Sequence, residues 1–177
     1  MNKIIVPVPQ FVVEPTAETE FKTYLQMIKN SVGTHMFRNL FVMRDGQVFD
    51  ASGNGQRSCA FFVSSILVIF KKIGSFHKTV YSTIKDLHAH GWVEVDDLRP
   101  GDVIIWEPIE GENGAYSHIG FYIGDDTAVS ASDTAGAPIA HHKNQTNWTE
   151  IARVYRLPEW KLGLYTPPPP LEGAELL

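Results

Sequence analysis

Cysteine is almost absent from this chain of 177 residues, in which Cys59 is the only one. A single cysteine cannot form a disulfide within the chain, and it cannot build a cysteine-rich zinc site. We expect neither a metal ion nor a cofactor. The one thiol therefore has to be explained either as a small buried side chain or as a reactive group.

An excess of positive charge is also lacking. The chain has 15 Lys and Arg residues against 20 Asp and Glu residues, and its net charge is −5. Proteins that hold nucleic acid need a basic surface, so nucleic acid is not an expected partner.

Long hydrophobic runs are missing as well. The longest extends from Cys59 to Phe70, about a dozen residues, whereas a helix that spans a bilayer needs roughly 20. The start of the chain is apolar but interrupted by Pro7 and Pro9, and it lacks the apolar core and the cleavage site of a secretory signal. We expect no membrane span and synthesis in the cytoplasm.

What the sequence does contain is a change of pattern, with helical spacing first and short strands afterwards, which indicates an α+β fold. Thr16 is expected to cap the first helix and Ser58 the second. Helices are expected over 17–32, 59–72 and 77–90, with a short hairpin at the Asp45–Gly46 turn between the first two. Strands are expected at 92–95, 102–106, 116–124, 127–132, 138–141 and 151–157.

The domain organisation follows from proline content. Residues 1–16 are expected to form an extended arm, 17–160 a single domain, and 161–177 a flexible tail that contains the run Pro167–Pro170. A run of prolines can continue neither a helix nor a central strand.

Cys59 is placed where a thiol can be activated, at the expected start of a buried helix. The positive end of the helix dipole favours a thiolate, and free N–H groups there can stabilise an oxyanion. A proton acceptor is also required, and His118 is the best-placed histidine because it lies at the start of the strand Ser117–Gly124. A cysteine at a helix start beside a histidine on a strand is the arrangement of papain-like enzymes.

Three motifs in order resemble the NlpC-type cysteine peptidases of bacterial cell-wall turnover, a branch of the papain-like superfamily. They are a cysteine at the head of a buried helix (58–63), a Leu-x-Pro-Gly-Asp turn before an apolar strand (98–106), and a His-aliphatic-Gly-x-Tyr-aliphatic-Gly strand (118–124). The resemblance covers roughly residues 17–157.

The resemblance implies a papain-like fold with N-terminal helices packed on a C-terminal antiparallel sheet. It also implies an amide hydrolase with Cys59 as nucleophile and His118 as general base. The implied substrate is a peptidoglycan stem peptide or another small peptide with an amide bond. A cell-wall enzyme without a signal would need delivery by a phage particle, a secretion system or lysis.

The sequence departs from the family around the nucleophile and at the third catalytic position. The family has Asp before the cysteine and Ser-Gly after it, where this chain has Ser58 and Ala60–Phe61. A tyrosine near the oxyanion is replaced by Phe37, and the third catalytic histidine, twelve residues after the strand histidine, is replaced by Ser130.

The orienting partner of His118 therefore has several candidates. Ser130 is the one aligned with the motif. Asp133 is the alternative if a two-residue turn pairs Gly124 with Thr127, because that register places Asp133 across from His118. A β-bulge would change this register.

His141 and His142 are further candidates for the same role. Since they are adjacent, they are expected to face opposite sides of a strand, which also argues against a metal site formed by the pair. Two other functions stay open: a catalytically inactive papain-like binding or assembly module, and an acyltransferase that uses the same dyad. A catalytic thiol is expected to have a pKa below about 8.5 and to be alkylated rapidly in the native protein.

Overall fold

The computed structural model describes residues 16–109, 116–144, 150–158 and 160. These residues contain three helices, Ala17–Asn30 (α1), Cys59–Ile69 (α2) and Val80–Ala89 (α3). The strands in them are Phe41–Arg44 (β1), Gln47–Asp50 (β2), Val93–Val95 (β3), Val103–Ile109 (β4), Tyr116–Gly124 (β5), Thr127–Ser132 (β6), Ala137–His142 (β7) and Ile151–Arg156 (β8). The expected tail and all but the last residue of the expected arm lie outside the described residues.

The strands form two antiparallel sheets. β1 and β2 make a separate hairpin, and the other six strands form one sheet in the order β3-β8-β4-β5-β6-β7. Helices come before this sheet in the chain and α2 packs on its strands β5 and β6. The α+β fold, with N-terminal helices on a C-terminal antiparallel sheet, is therefore confirmed.

The start of the first helix is correctly indicated by its capping residue, although the helix ends at Asn30 and not at residue 32. The Thr16 hydroxyl accepts a hydrogen bond from the backbone N–H of Thr19, and the Thr19 hydroxyl accepts one from the N–H of Thr16, which completes a capping box. The apolar side of α1 buries Phe21, Tyr24 and Ile28. This side anchors the helix to the core.

Helices α2 and α3 are shorter than the sequence pattern predicts. α2 ends at Ile69 and not near Lys72, because Lys71 takes a positive φ of 55° that a helix cannot include. α3 begins at Val80, with Thr79 as its cap, and not near His77. Within α2, residues such as Phe62, Val63 and Leu67 are buried, as expected for a central helix.

The two faces of the main sheet contribute to different hydrophobic clusters. The face toward the helices carries alternate strand residues, including Ile105, Ile119 and Phe121, that join the main hydrophobic core. The opposite face has a smaller cluster made of Ile104, Trp106, Tyr122, Ala128 and Val154. Because side chains alternate along a strand, His118 is on the Trp106 face and Ile119 is on the helix face.

A bulge shifts the register between β5 and β6. Gly124 pairs with Thr127 as expected, but Tyr122 pairs with Ala128 and Gly120 with Ser130. The pairing is thus one residue off the simple ladder beyond the turn. The expectation that Asp133 pairs with His118 is wrong, since it depended on the unbroken ladder.

In the described part of the chain, no helix is long and apolar enough to cross a bilayer.

Candidate active site

Cys59 is the first residue of α2, as expected, but Ser58 does not cap the helix with its side chain. The Ser58 hydroxyl instead donates a hydrogen bond to the carbonyl oxygen of Gly55, at 2.9 Å. Ser58 occupies the N-cap position of α2 as expected, but the expectation that its side chain caps the helix is wrong. As a result, the first N–H groups of the helix stay available to the thiol.

Backbone N–H groups from two elements converge on the Cys59 sulfur. The N–H groups of Cys59 and Ala60 come from the start of α2, and the N–H group of Ile119 comes from β5. Ile119 directly follows His118 in the chain. The structure thus joins the helix that carries the cysteine to the strand segment that carries the histidine.

The surroundings of the thiol nevertheless favour its protonated form. Burial raises the pKa of Cys59, and the N–H groups of Ala60, Ile119 and Cys59 itself offset this only in part. The expectation of a thiol pKa below its usual value is wrong for the resting protein, because desolvation outweighs the helix N-terminus. Any reaction at the Cys59 sulfur would therefore need a base to remove its proton.

The loop before Cys59 is organised by the carboxylate of Asp50, at the end of β2. Its oxygens accept hydrogen bonds from the backbone N–H groups of Leu40, Ser52 and Asn54 at 3.0, 2.9 and 2.7 Å, and from the Asn39 amide at 2.8 Å. Burial acts in the opposite direction, but these bonds, led by that of Asn54, lower the pKa of Asp50 to about 2. The loop leading to Cys59 is therefore held by an ionised carboxylate.

The same loop packs against the turn between β6 and β7. A Cβ atom on Gly55 would lie 2.7 Å from the Cα atom of Gly136, so only glycine fits at this contact, where φ is +92°. Arg38 adds a hydrogen bond from its Nε to the carbonyl oxygen of Asn54, at 3.3 Å. The loop before Cys59 is thus fixed to the sheet on the side of β6 and β7.

His118 is buried on the Trp106 face of the sheet, with 9% of its surface exposed. Its ring centroid is 5.3 Å from that of Trp106, its cross-strand neighbour on β4. Burial lowers the pKa of His118 to about 4, helped by the charge of His141 and opposed by that of Asp133. The imidazole is therefore neutral at neutral pH and can accept a proton.

Ser130 and His141 form a hydrogen-bonded pair on the same face. The distance from Ser130 Oγ to His141 Nε2 is 2.8 Å, and Ser130 is almost fully buried. The other ring nitrogen of His141, Nδ1, is 2.8 Å from the carbonyl oxygen of His142. Since that carbonyl can only accept, Nδ1 donates the hydrogen bond, and Nε2 accepts from the Ser130 hydroxyl when the ring is neutral.

The remaining two candidates, Asp133 and His142, are exposed. Asp133 is exposed in the turn after β6, and its carboxylate accepts hydrogen bonds from the backbone N–H and the hydroxyl of Thr134. His142 is exposed, and its Nδ1 accepts a hydrogen bond from the N–H of Asn144. His141 and His142 therefore face opposite sides of β7, as expected from their adjacent positions.

Phe37 is a core residue. Its ring packs against those of Phe62 and Phe61, with centroid distances of 5.0 and 6.4 Å. Among the residues described, no group of three or more His, Cys, Asp or Glu side chains is arranged to hold a metal ion.

Two groups that organise the site, the Asp50 carboxylate and the Ile119 N–H, are not among the candidates that the sequence indicates. Asp50 had a recognisable signal, because an Asp between a strand and a loop of small residues commonly bonds the backbone two residues further on. The Ile119 N–H had none, since a backbone group carries no sequence signature.

The likeness of this chain to known proteins is found in structure and not in sequence. No model of a known protein family matches the sequence, and no curated protein matches it in a sequence search. Among solved structures, the chain is similar to NlpC2 from Trichomonas vaginalis, with 17% identity and a TM-score of 0.49. The match covers 78% of this chain and 47% of that protein, so the chain spans about half its length.

Proposed function

We propose that this chain is a papain-like cysteine hydrolase that cleaves an amide bond, with Cys59 as nucleophile and His118 as general base. One observation supports it most. The Cys59 thiol lies at a helix start and accepts a hydrogen bond from the N–H of Ile119, the residue next to a buried, neutral histidine.

The reaction begins from a neutral pair and not from an ion pair. His118 takes the proton of the Cys59 thiol as the sulfur attacks the carbonyl carbon, and a C–S bond forms. This order follows from the raised thiol pKa and the lowered imidazole pKa, which disfavour a resting thiolate–imidazolium pair. His118 then gives the proton to the amine nitrogen as the C–N bond breaks.

Hydrolysis of the thioester completes the cycle. His118 takes a proton from water, the hydroxyl oxygen attacks the acyl carbon, and the C–S bond breaks to release a carboxylic acid. The proton returns to the sulfur. Backbone N–H groups at the start of α2 are the donors available for the oxyanion in both halves of the reaction.

The substrate class comes from the sequence resemblance. The three motifs of NlpC-type peptidases point to the stem peptide of peptidoglycan, as an endopeptidase or an amidase substrate. Digestion of purified peptidoglycan, followed by mass spectrometry of the released fragments, tests this for wild type, Cys59→Ala and His118→Ala. We expect fragments from wild type alone, and His35→Ala, a surface histidine variant, should cleave like wild type.

If no protein releases fragments, wild type included, the result would contradict peptidoglycan as the substrate. Fragments that persist in Cys59→Ala would contradict the nucleophile itself. If added amines are acylated faster than water is consumed, the enzyme is an acyltransferase with the same dyad.

One observation favours a second function, an inactive binding or assembly module. The raised pKa of Cys59 is that of a partly buried thiol at rest. A module of this kind would bind peptidoglycan fragments with equal affinity in wild type and Cys59→Ala and would cleave none of them. Equilibrium binding measured beside the digestion therefore separates the two functions.

A further inference from the structure

We propose that Ser130 and His141, on neighbouring strands, act together as the positioning residues of His118. The inference deepens the proposed function and rests on it for the role of His118 as base. In a catalytic triad one residue holds the imidazole of the base in a fixed orientation. Here two residues, one on β6 and one on β7, share that role.

The pair is connected on both sides. Ser130 Oγ donates to His141 Nε2 at 2.8 Å, and His141 Nδ1 donates to the carbonyl oxygen of His142 at 2.8 Å. The orientation of His141 is therefore fixed at both ring nitrogens. The Ser130 oxygen, having donated its proton, keeps lone pairs that can accept a hydrogen bond.

The indole of Trp106 links the two imidazoles. Its ring centroid is 5.3 Å from that of His118 and 5.7 Å from that of His141, and Trp106 is fully buried. Its Nε1 donates to the carbonyl oxygen of Lys143, at 2.7 Å, which holds the indole in place. His118 and His141 therefore rest against the same fixed indole.

Gly120 makes this close arrangement possible. It pairs with Ser130 and follows His118 by two residues on the same face of β5. A Cβ atom on Gly120 would lie 2.9 Å from both the Ser130 Cβ and the Trp106 Cη2. Because Gly120 has no side chain, Ser130 and the Trp106 indole can both pack against β5 beside His118.

The electrostatic surroundings agree with this placement. Besides burial, the groups that act on the pKa of His118 are His141, which lowers it, and Asp133, which raises it. The pKa of His141 is itself lowered by burial, and the charge of His142 adds to this, while the hydrogen bond to the His142 carbonyl acts in the opposite sense. The Cys59 thiol contacts the next residue, Ile119, from the helix side.

Both imidazoles are therefore neutral in the resting protein, and only one of them takes up a proton in the reaction. A second charge on His141 would oppose the imidazolium that forms on His118. The pair thus serves the base best when His141 is a neutral acceptor for Ser130.

The test combines an NMR titration of His118 with the pH profile of kcat, for wild type, Ser130→Ala, His141→Ala and His141→Gln. We expect His141→Ala to raise the pKa of His118 from about 4 toward its usual 6.5, because burial decreases and the charge that His141 carries in the acid range is removed. The acid limb of the kcat profile should move upward with it. The loss of kcat at its optimum should be roughly tenfold or more, a part of what general acid–base catalysis contributes.

His141→Gln keeps an acceptor for the Ser130 hydroxyl, so it should fold and retain more kcat than His141→Ala, with a smaller shift of the His118 titration. His142→Gln, on the opposite face of β7, should leave that titration within error of wild type. An unmoved His118 titration in both His141 variants, or an equal shift in His142→Gln, would overturn the proposal. The titration needs no substrate, so its outcome is distinct from failure of the proposed hydrolysis, which appears as an absence of Cys59-dependent products.

Discussion

The thiol of Cys59 accepts a hydrogen bond from the backbone N–H of Ile119, so the start of α2 is fastened to β5 one residue after His118. A helix terminus and a strand therefore bring Cys59 beside the backbone next to His118, whose imidazole lies on the Trp106 face of the sheet. Because the strand also has to pack on the helix through Ile119, the same contact serves the core and the site.

The protonation state of Cys59 gives the first prediction. Burial raises the pKa of the thiol, so native protein should react slowly with iodoacetamide near neutral pH and faster as the pH rises above the usual thiol pKa, about 8.5. Unfolded protein should react faster than native protein at neutral pH, since its thiol is no longer buried. Alkylation followed by intact mass is simple to interpret because the chain has one cysteine.

His118→Ala is the matched variant in this experiment. It should leave the slow native rate near neutral pH little changed, because the resting pair is not ionised. Rapid native alkylation at that pH, abolished by His118→Ala, would instead demonstrate a thiolate–imidazolium pair.

The buried imidazole of His118 gives a second prediction, on stability. Its pKa is about 4 in the folded protein and 6.5 as the ordinary value, so the unfolded state binds the proton more tightly between these limits. The associated stability is complete above pH 6.5 and is lost as the pH falls toward 4, by up to roughly 3 kcal/mol. Urea unfolding of wild type and His118→Gln across this range should show a shallower loss for the variant.

The histidine control for that measurement is His35→Gln, which changes an exposed side chain. Its stability should fall with pH as steeply as that of wild type. Equal slopes for all three proteins would contradict a buried neutral His118.

Asp50 gives a third prediction, on the loop before the nucleophile. Asp50→Ala removes the acceptor of four hydrogen bonds and should lower both Tm and kcat, while Asp50→Asn, which keeps one carbonyl oxygen, should lower them less. The pKa of Asp50 is lowered to about 2, so its contribution is present above its usual pKa of 3.8 and is lost as the pH falls toward 2. Thermal melts should therefore show a smaller difference in Tm between wild type and Asp50→Ala near pH 2 than at neutral pH. An equal difference in Tm at the two pH values would contradict this role of Asp50.

Gly120 gives a fourth prediction, on packing. Gly120→Ala places a Cβ atom 2.7 Å from the Val129 carbonyl oxygen and 2.9 Å from Ser130 Cβ and Trp106 Cη2. Such overpacking typically costs about 1–3 kcal/mol, and the displaced indole should also alter the His118 titration. Gly46→Ala is the control, since it meets open space at φ +74° and should cost only backbone strain without moving that titration. An unchanged His118 titration in Gly120→Ala would contradict the claim that Gly120 shapes the surroundings of His118.

The sequence was most informative where a local rule decides the structure. The Thr16 cap, the hairpin turn at Asp45–Gly46 and the strand Tyr116–Gly124 each depend on neighbouring residues, and each is found as predicted. The placement of Cys59 at a helix start follows from the same kind of rule.

It was least informative where pairing between distant segments decides the structure. The bulge between Tyr122 and Gly124 shifts the register by one residue, and no local signal marks it, so Asp133 was placed wrongly across from His118. The contact of His141 with Ser130 depends on the register of a third strand. The direction of the Cys59 pKa depends on burial, which tertiary packing sets.

The central claim is that Cys59 is acylated by its substrate with the help of His118. Its most direct test is intact-protein mass spectrometry of enzyme quenched in acid during turnover of muropeptides from digested peptidoglycan. We predict one acyl adduct per wild-type chain, on the Cys59 peptide, with a much smaller amount in His118→Ala and none in Cys59→Ala. Turnover of the muropeptides without an adduct on Cys59, or with undiminished rate in Cys59→Ala, would contradict the account.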